Sequence, residues 1–434
     1  MNISATVVKR AAFAGAVVVC AALGFQALRA QAPAAQGQVI ALTGATVIDG
    51  TGAQPLQGAT LLIANGQIQA VGRTGAVNIP AGATRVDLTG KTIVPGLINA
   101  HGHLDNGDKA LPVREQELQQ LRLYAQYGVT SLVSLTDEGV ESTKIRDENN
   151  TGPFDRARLF PSGPAVVAKS VEDARALINK NADLRVHIIK TRMNGNANDM
   201  TPDIYAAVID QAHKRGLRVA AHLFYLHEAK GLVNAGLDVI AHSIRDQDVD
   251  PAFIAVLKSR NIGYIPTLTR DLSVFVYETP PDFLNDPFFL KGVTFTKPQL
   301  DQVKDPGFQV KMQQSPEAKR IKLAIQQASR NLKLLSDAGV PIAMGTDSGT
   351  MTGRWQGYFE HVELELMVKA GLTPMQALVA ATGSSAKIMK LDRLGTIQAG
   401  NVADLLVLNA NPLTDIKNTR QIHSVWIGGH RLTN

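Results

Sequence analysis

Eight short apolar runs, rich in β-branched residues and separated by amphipathic stretches, occupy the middle of this 434-residue chain. That alternation is what parallel strands joined by helices require. The runs fall at residues 93–99, 129–135, 159–167, 186–190, 218–222, 239–242, 263–268 and 342–346. Residues 115–127, 202–215 and 227–235 between them carry helical periodicity, and Gly128, Gly216 and Gly236 stand where helix C-caps belong. Eight such units predict an α/β protein built as a (β/α)8 TIM barrel. The rhythm breaks once, over residues 270–315, where prolines interrupt it. A long insertion at the barrel mouth is expected there.

Residues 39–92 alternate β-type runs with turns and include Asn65-Gly66, a hairpin signal. Residues 395–434 repeat that texture in Asp404-Leu405-Leu406-Val407-Leu408 and Ser424-Val425-Trp426-Ile427. The two ends are expected to pair as a small β-sandwich domain beside a barrel spanning 93–394. Ahead of them stand Lys9 and Arg10, an apolar stretch from Ala11 to Leu23 and small residues around Ala30. These read as a secretory signal peptide over 1–30, cleaved at Ala30, with a flexible leader over 31–38. The alternative is an uncleaved anchor, for which the apolar stretch is short. Export to a periplasm is the expectation. Losing Lys9, Arg10 and Arg29 lowers the formal charge from +6 to +3, so the basic balance says little about partners. An aromatic content of 5% offers no stacking surface for nucleic acid. The only cysteine, Cys20, lies in the signal segment, so the mature chain is expected to have no disulfide.

Chemistry collects at the ends of the runs. His101 and His103 follow the first run one residue apart; on a strand, i and i+2 share a face, so two imidazoles can meet one cation. Lys190 closes the fourth run, His222 the fifth and His242 the sixth, and Asp347 follows the eighth. Barrel enzymes carry their reactive groups at the C-terminal strand ends. Each residue alone has a plainer reading: a hydrogen-bonded core histidine, as expected for the off-pattern His187 and His213, a snorkelling lysine, or a turn-capping aspartate.

In this order the chain resembles the metal-dependent amidohydrolase superfamily, within its imidazolonepropionase-like and Xaa-Pro dipeptidase-like group. The shared pattern is His-x-His after strand one, Lys or Glu at strand four, a single His at strands five and six, and Asp at strand eight. Val94-Pro95-Gly96-Leu97-Ile98, Leu372-Thr373-Pro374-Met375-Gln376-Ala377-Leu378 and the run from Leu394 to Leu405 extend the likeness over nearly the whole mature chain. The resemblance implies that His101, His103 and Asp347 hold one divalent ion and that His222 and His242 hold a second. It also implies that Lys190 bridges the two as N6-carboxylysine, because an ammonium has no lone pair to offer a cation. Zinc is the expected metal, although manganese or cobalt suits similar donors. Two ions sharing a water would lower its pKa and polarise a carbonyl. That implies amide hydrolysis by an activated hydroxide, with Asp347 as general base and acid, on a small substrate such as a dipeptide or N-acyl amino acid.

Tyr225 is placed to bond a tetrahedral oxyanion, and Arg245 and Arg192 to pair with a substrate carboxylate. For Arg245 the alternative is a local pair with Asp246 or Asp248. His222-Leu223-Phe224-Tyr225 stands where many dipeptidases of the group carry a second histidine, which leaves the substrate open. The alternatives are a mononuclear deaminase, which would have no use for Lys190, or a cyclic-amide hydrolase. A catalytically inactive exported binding protein would not need all six donors. No motif points to nucleic acid or a stable membrane anchor, and assembly as a homo-oligomer is left open.

Overall fold

The computed structural model describes residues 38–433; the signal segment, Cys20 and the leader before Gln38 lie outside them. Seven of the eight runs form parallel strands. One sheet sets Leu97–Gly102, Val129–Ser134 and Arg158–Pro161 side by side. A second sets out Ile189–Arg192, Val219–His222, Val239–Ala241 and Gly263–Ile265 in order. Single parallel bridges link Val166 to Thr191 and Tyr264 to Ile342. The eighth run corrects the expectation, since residues 342–346 form no strand. Their backbone bonds are divided among neighbours: Ala343 donates to Tyr264, Met344 to Ala380 and Thr346 to His101. The helices Val113–Gln126, Pro202–Lys214 and Leu226–Asn234 fall where periodicity placed them. They bury one face each, Leu118, Leu121 and Tyr124 on the first and Ala207, Val208 and Ala212 on the second, as an amphipathic helix must. The result is an α/β fold.

The strands before and after the parallel set meet in one eight-stranded sheet. Thr92–Pro95 lies between Ile40–Val47, with Val47 opposite Ile93, and Leu405–Leu408, with Leu405 opposite Pro95. Leu42, Leu61, Ile93, Leu405, Val407 and Trp426 form the apolar cluster of this sheet. The strand then passes through Gly96 into Leu97–Gly102. A buried pair ties this sheet to the parallel one: Arg158 Nε and Nη2 donate to Asp404 Oδ2 and Oδ1 at 2.6 and 3.1 Å, and the Gly428 amide donates to Oδ1 at 2.6 Å. Such a fork is well satisfied, and removing either partner would strand the other.

The segment 270–315 differs from the irregular insertion read in the sequence. It contains the helices Lys297–Lys304 and Pro306–Gln314 and shorter helical turns. The prolines that looked like breakers open helices instead. Asp286 and Asp305 cap Phe288 and Phe308 through their carboxylates, each with proline next in line, the residue whose missing N–H costs nothing at a first turn. Tyr277, Phe289, Leu300, Trp355 and Phe359 bury one apolar cluster between this segment and residues 355–359. No helix among the described residues is long and apolar enough to cross a membrane.

Candidate active site

The strand Leu97–Gly102 delivers His101, and His103 follows it. Their backbone is clamped to the turn that carries Asp347. The amides of Thr346 and Asp347 donate to the His101 carbonyl at 3.1 and 2.7 Å, and the His103 amide donates to Ser348 at 2.8 Å. Asp347 and His242 adopt left-handed backbone, φ +58° and +77°, a conformation that costs a non-glycine residue of order 1 kcal/mol or more. Gly345 lets the turn approach, for a Cβ there would lie 2.8 Å from that of His101. Sequence-local preference is overridden at these positions to aim side chains inward.

All six expected donors come together. Asp347 Oδ1 lies 3.2 Å from His101 Nε2 and 2.9 Å from His103 Nε2. Lys190 Nζ lies 3.2 Å from His101 Nε2. The rings of His101 and His242, and of His242 and His222, have centroids 4.4 Å apart. All are buried except His222, which is half-buried. Burial, then Lys190, pushes His101 down to about 3, so its contact with Asp347 is that of a neutral ring. Burial also pulls the Lys190 ammonium down to about 7, against Asp347. Burial and neighbouring cationic groups hold His222 and His242 well below the ordinary imidazole value. Burial pushes the Asp347 carboxyl up, but Arg354, then His242, and the bonds from His101 and His103 outweigh it and hold it well below the carboxylate range.

Imidazoles gathered around one carboxylate held well below its ordinary range are a metal-type donor set. The ligand atoms of His101, His103 and Asp347 lie within 4.8 Å of one another. Bonds of about 2.0–2.1 Å to one tetrahedral ion would space such donors by about 3.3 Å, so the residues fit a cation. The buried Nδ1 atoms of His101 and His103 have no hydrogen-bond partner among the described residues. His242 is fixed through its other nitrogen, with Nδ1 2.7 Å from Thr267 Oγ1. A cleft of about 710 Å³ among Arg122, Lys291, His423 and Arg431 shares no residue with this cluster, and chemistry rather than size marks the site.

Several residues around the donors went unread in the sequence. Arg354 Nη1 bonds Asp347 Oδ2, and its Nε reaches Ser273 Oγ at 3.1 Å. Asn99 Oδ1 accepts from the His101 amide at 2.9 Å, while its Nδ2 donates to Glu360 at 2.6 Å. Glu360 also accepts from Thr346 and Ser348, which fixes the Asp347 turn from behind. The only local hint was the polar run Thr267-Leu268-Thr269-Arg270-Asp271 closing the otherwise donor-free seventh run.

The expected substrate residues are placed unequally. Arg245 is buried and pairs with neither Asp246 nor Asp248; its Nε lies 3.5 Å from Asp271 Oδ1 and its Nη1 donates to Ser243 at 2.9 Å. Asp246 instead accepts from the Leu226 amide, and Asp248 from Gln327. Arg192 ends its strand exposed. Tyr225 heads the helix Leu226–Asn234, its ring 4.8 Å from that of Phe224. Off the cluster, His187 bonds the Met389 carbonyl at 2.6 Å, as a structural histidine should. His213 pairs with Asp238 at 3.0 Å but is exposed rather than buried in the core.

Residues 92–432 match the amidohydrolase family. An imidazolonepropionase of Deinococcus radiodurans is 23% identical over 416 residues, covering 87% of this chain and 92% of that protein. An ochratoxinase of Aspergillus niger is 23% identical over 290 residues, 63% of this chain and 52% of its own. The chain spans about half the length of several curated relatives it matches, the ochratoxinase among them. A solved structure of a candidate prolidase from Bifidobacterium longum superposes with a TM-score of 0.75 at 27% identity, covering 92% of this chain and 95% of that one.

Proposed function

This chain belongs to the amidohydrolase family, and from that premise we propose that it is a binuclear metal-dependent hydrolase of amide bonds in dipeptides or N-acyl amino acids. The observation that carries the reading is the meeting of all six strand-end donors, with Lys190 Nζ 3.2 Å from His101 Nε2. In this proposal His101, His103 and Asp347 would hold one ion, His222 and His242 would hold the other, and Lys190, as N6-carboxylysine, would serve as a donor to both. Divalent ions held there, zinc foremost, would supply Lewis acidity towards a carbonyl and acidify water.

The chain's own groups do the rest. Asp347 Oδ1, facing the donors, takes the proton of the attacking water and passes it to the departing nitrogen. Tyr225 stands as the oxyanion donor and Arg192 as a partner for a substrate carboxylate, while Arg245 is held within the protein by Asp271 and Ser243. The bridges Val166–Thr191 and Tyr264–Ile342, with the Ala100 amide on Met344, support closure of the parallel strands into a (β/α)8 barrel over 93–394. The shared apolar cluster of the end strands supports a sandwich built from 39–92 and 395–434. The proposal includes residues 1–30 as the export signal and the periplasm as destination.

Elemental analysis of the purified chain is expected to give near two divalent ions, and chelation is expected to abolish hydrolysis of dipeptides and N-acyl amino acids. One ion per chain with full hydrolysis would sink the binuclear reading. Thr267→Val removes the bond that orients His242 and is expected to weaken ion affinity about 10- to 100-fold. Competition against a chromophoric chelator measures this, and unchanged affinity would show that the hydroxyl does not set the ring.

A further inference from the structure

Arg270 lies on the short helix Leu268–Leu272 that follows the seventh parallel strand. Its Nε is 4.0 Å from Asp347 Oδ2 and its Nη1 donates to Asp271 Oδ1 at 2.8 Å. That buried Nε has no hydrogen-bond partner among the described residues. Asp271, fully buried, is shared with Arg245. Arg245 Nε likewise has no hydrogen-bond partner among the described residues, but its Nη1 donates to Ser243 and its guanidinium lies 4.6 Å from the centre of the Phe224 ring, which Arg320 also approaches at 4.4 Å. Arg354 is anchored by Asp347, Thr350 and Ser273. Of the three arginines, Arg270 is the most accessible, with 16% of its side chain exposed against 1% for Arg245 and 8% for Arg354.

The guanidinium groups of Arg245, Arg270 and Arg354 converge on Asp271 and Asp347, and the third carboxylate nearby, Glu363, accepts from the amides of Leu268 and Thr269 and the Thr269 hydroxyl instead. A buried guanidinium N–H with no acceptor, as at Arg270 Nε, is costly until an anion offers one. Resting on the hydrolase reading above, we propose that Arg270 determines specificity by receiving a substrate carboxylate set two bonds from the scissile nitrogen. The short span to Asp347, the group that moves the proton, selects such a near carboxylate over a distal one. Asp271 and Arg245 are its positioning residues: Asp271 Oδ1 accepts from Arg270 Nη1, and Arg245 Nε lies 3.5 Å from the same oxygen.

The probe is the ketone isostere of N-phenylacetylglycine, in which a methylene replaces the scissile N–H so that nothing is cleaved, used as free carboxylate and as carboxamide. Calorimetry on the metal-loaded protein is expected to show the carboxylate binding about 10- to 100-fold tighter, the range of a charge-assisted hydrogen bond. Arg270→Met should abolish that preference and Arg270→Lys reduce it, since ammonium keeps the charge but loses the fork, with ion content unchanged in both. Equal binding of the two probes by the parent protein overturns the proposal. So does a preference that survives intact in either variant, which keeps the test decisive if Arg270→Met fails to fold. Carboxylate preference without hydrolysis of any amide would fail the hydrolase reading alone; hydrolysis without preference would fail this one alone.

Discussion

Asp347→Asn is expected to lower kcat by about 10⁴-fold, the upper end of what a positioned acid or base contributes. The side chain keeps its shape and one oxygen to offer His101 and His103, which sit 3.2 and 2.9 Å from Oδ1. What is lost is the ability to carry a proton and the charge that Arg354 and Arg270 face. Uncompensated, those guanidinium groups also destabilise the fold, so thermal unfolding must accompany the kinetics. A folded variant retaining kcat within tenfold would remove Asp347 from proton transfer.

Lys190→Ala carries the second large effect. Lys190 is 3% exposed, and burial brings its ammonium down to about 7. A lysine whose folded value is depressed opposes folding increasingly as pH falls from the ordinary value of 10.5 towards about 7, and the penalty is fully present below that, because the buried site disfavours the charged form. Removing it is therefore expected to leave the metal-free protein at least as stable at pH 6. Ion content, in contrast, should fall from near two per chain to one or fewer, and kcat/KM by about 10³-fold or more, the scale of removing metal-assisted charge stabilisation. Opposite signs in the two measurements distinguish a bridging ligand from a structural lysine. Loss of stability with unchanged ion content would overturn the assignment.

The donors were legible because each stands at or just past the end of a short apolar run, and for His101, Lys190, His222 and His242 the backbone of a strand carries the residue there. Val219–His222 and Val239–Ala241 fall within a residue of the runs that predicted them. The eighth run kept its place but lost its ladder, since Ala343, Met344 and Thr346 bond three different neighbours, a tertiary choice that no local pattern encodes. Arg354 and Arg270 were missed for a related reason. Their meaning comes from Asp347, reached across loops, and Arg270 lies 77 residues before it in sequence with nothing in its own run to name the partner. In 270–315 the same prolines that stop a helix also start one, and only the capping aspartates before them decide which.

The strand Thr92–Pro95, held between Ile40–Val47 and Leu405–Leu408, has a kinetic consequence. The Arg158–Asp404 pair beside it closes a separation of 246 residues. Contacts that remote slow folding, because loop-closure entropy must be overcome before they form. During synthesis one edge of Thr92–Pro95 stays open until the last strands emerge, and an open edge invites pairing with other chains. His101 and His103 lie just downstream of that strand, so the reactive centre is among the last parts of the molecule to take shape. After dilution from denaturant, helical signal should return well before turnover does.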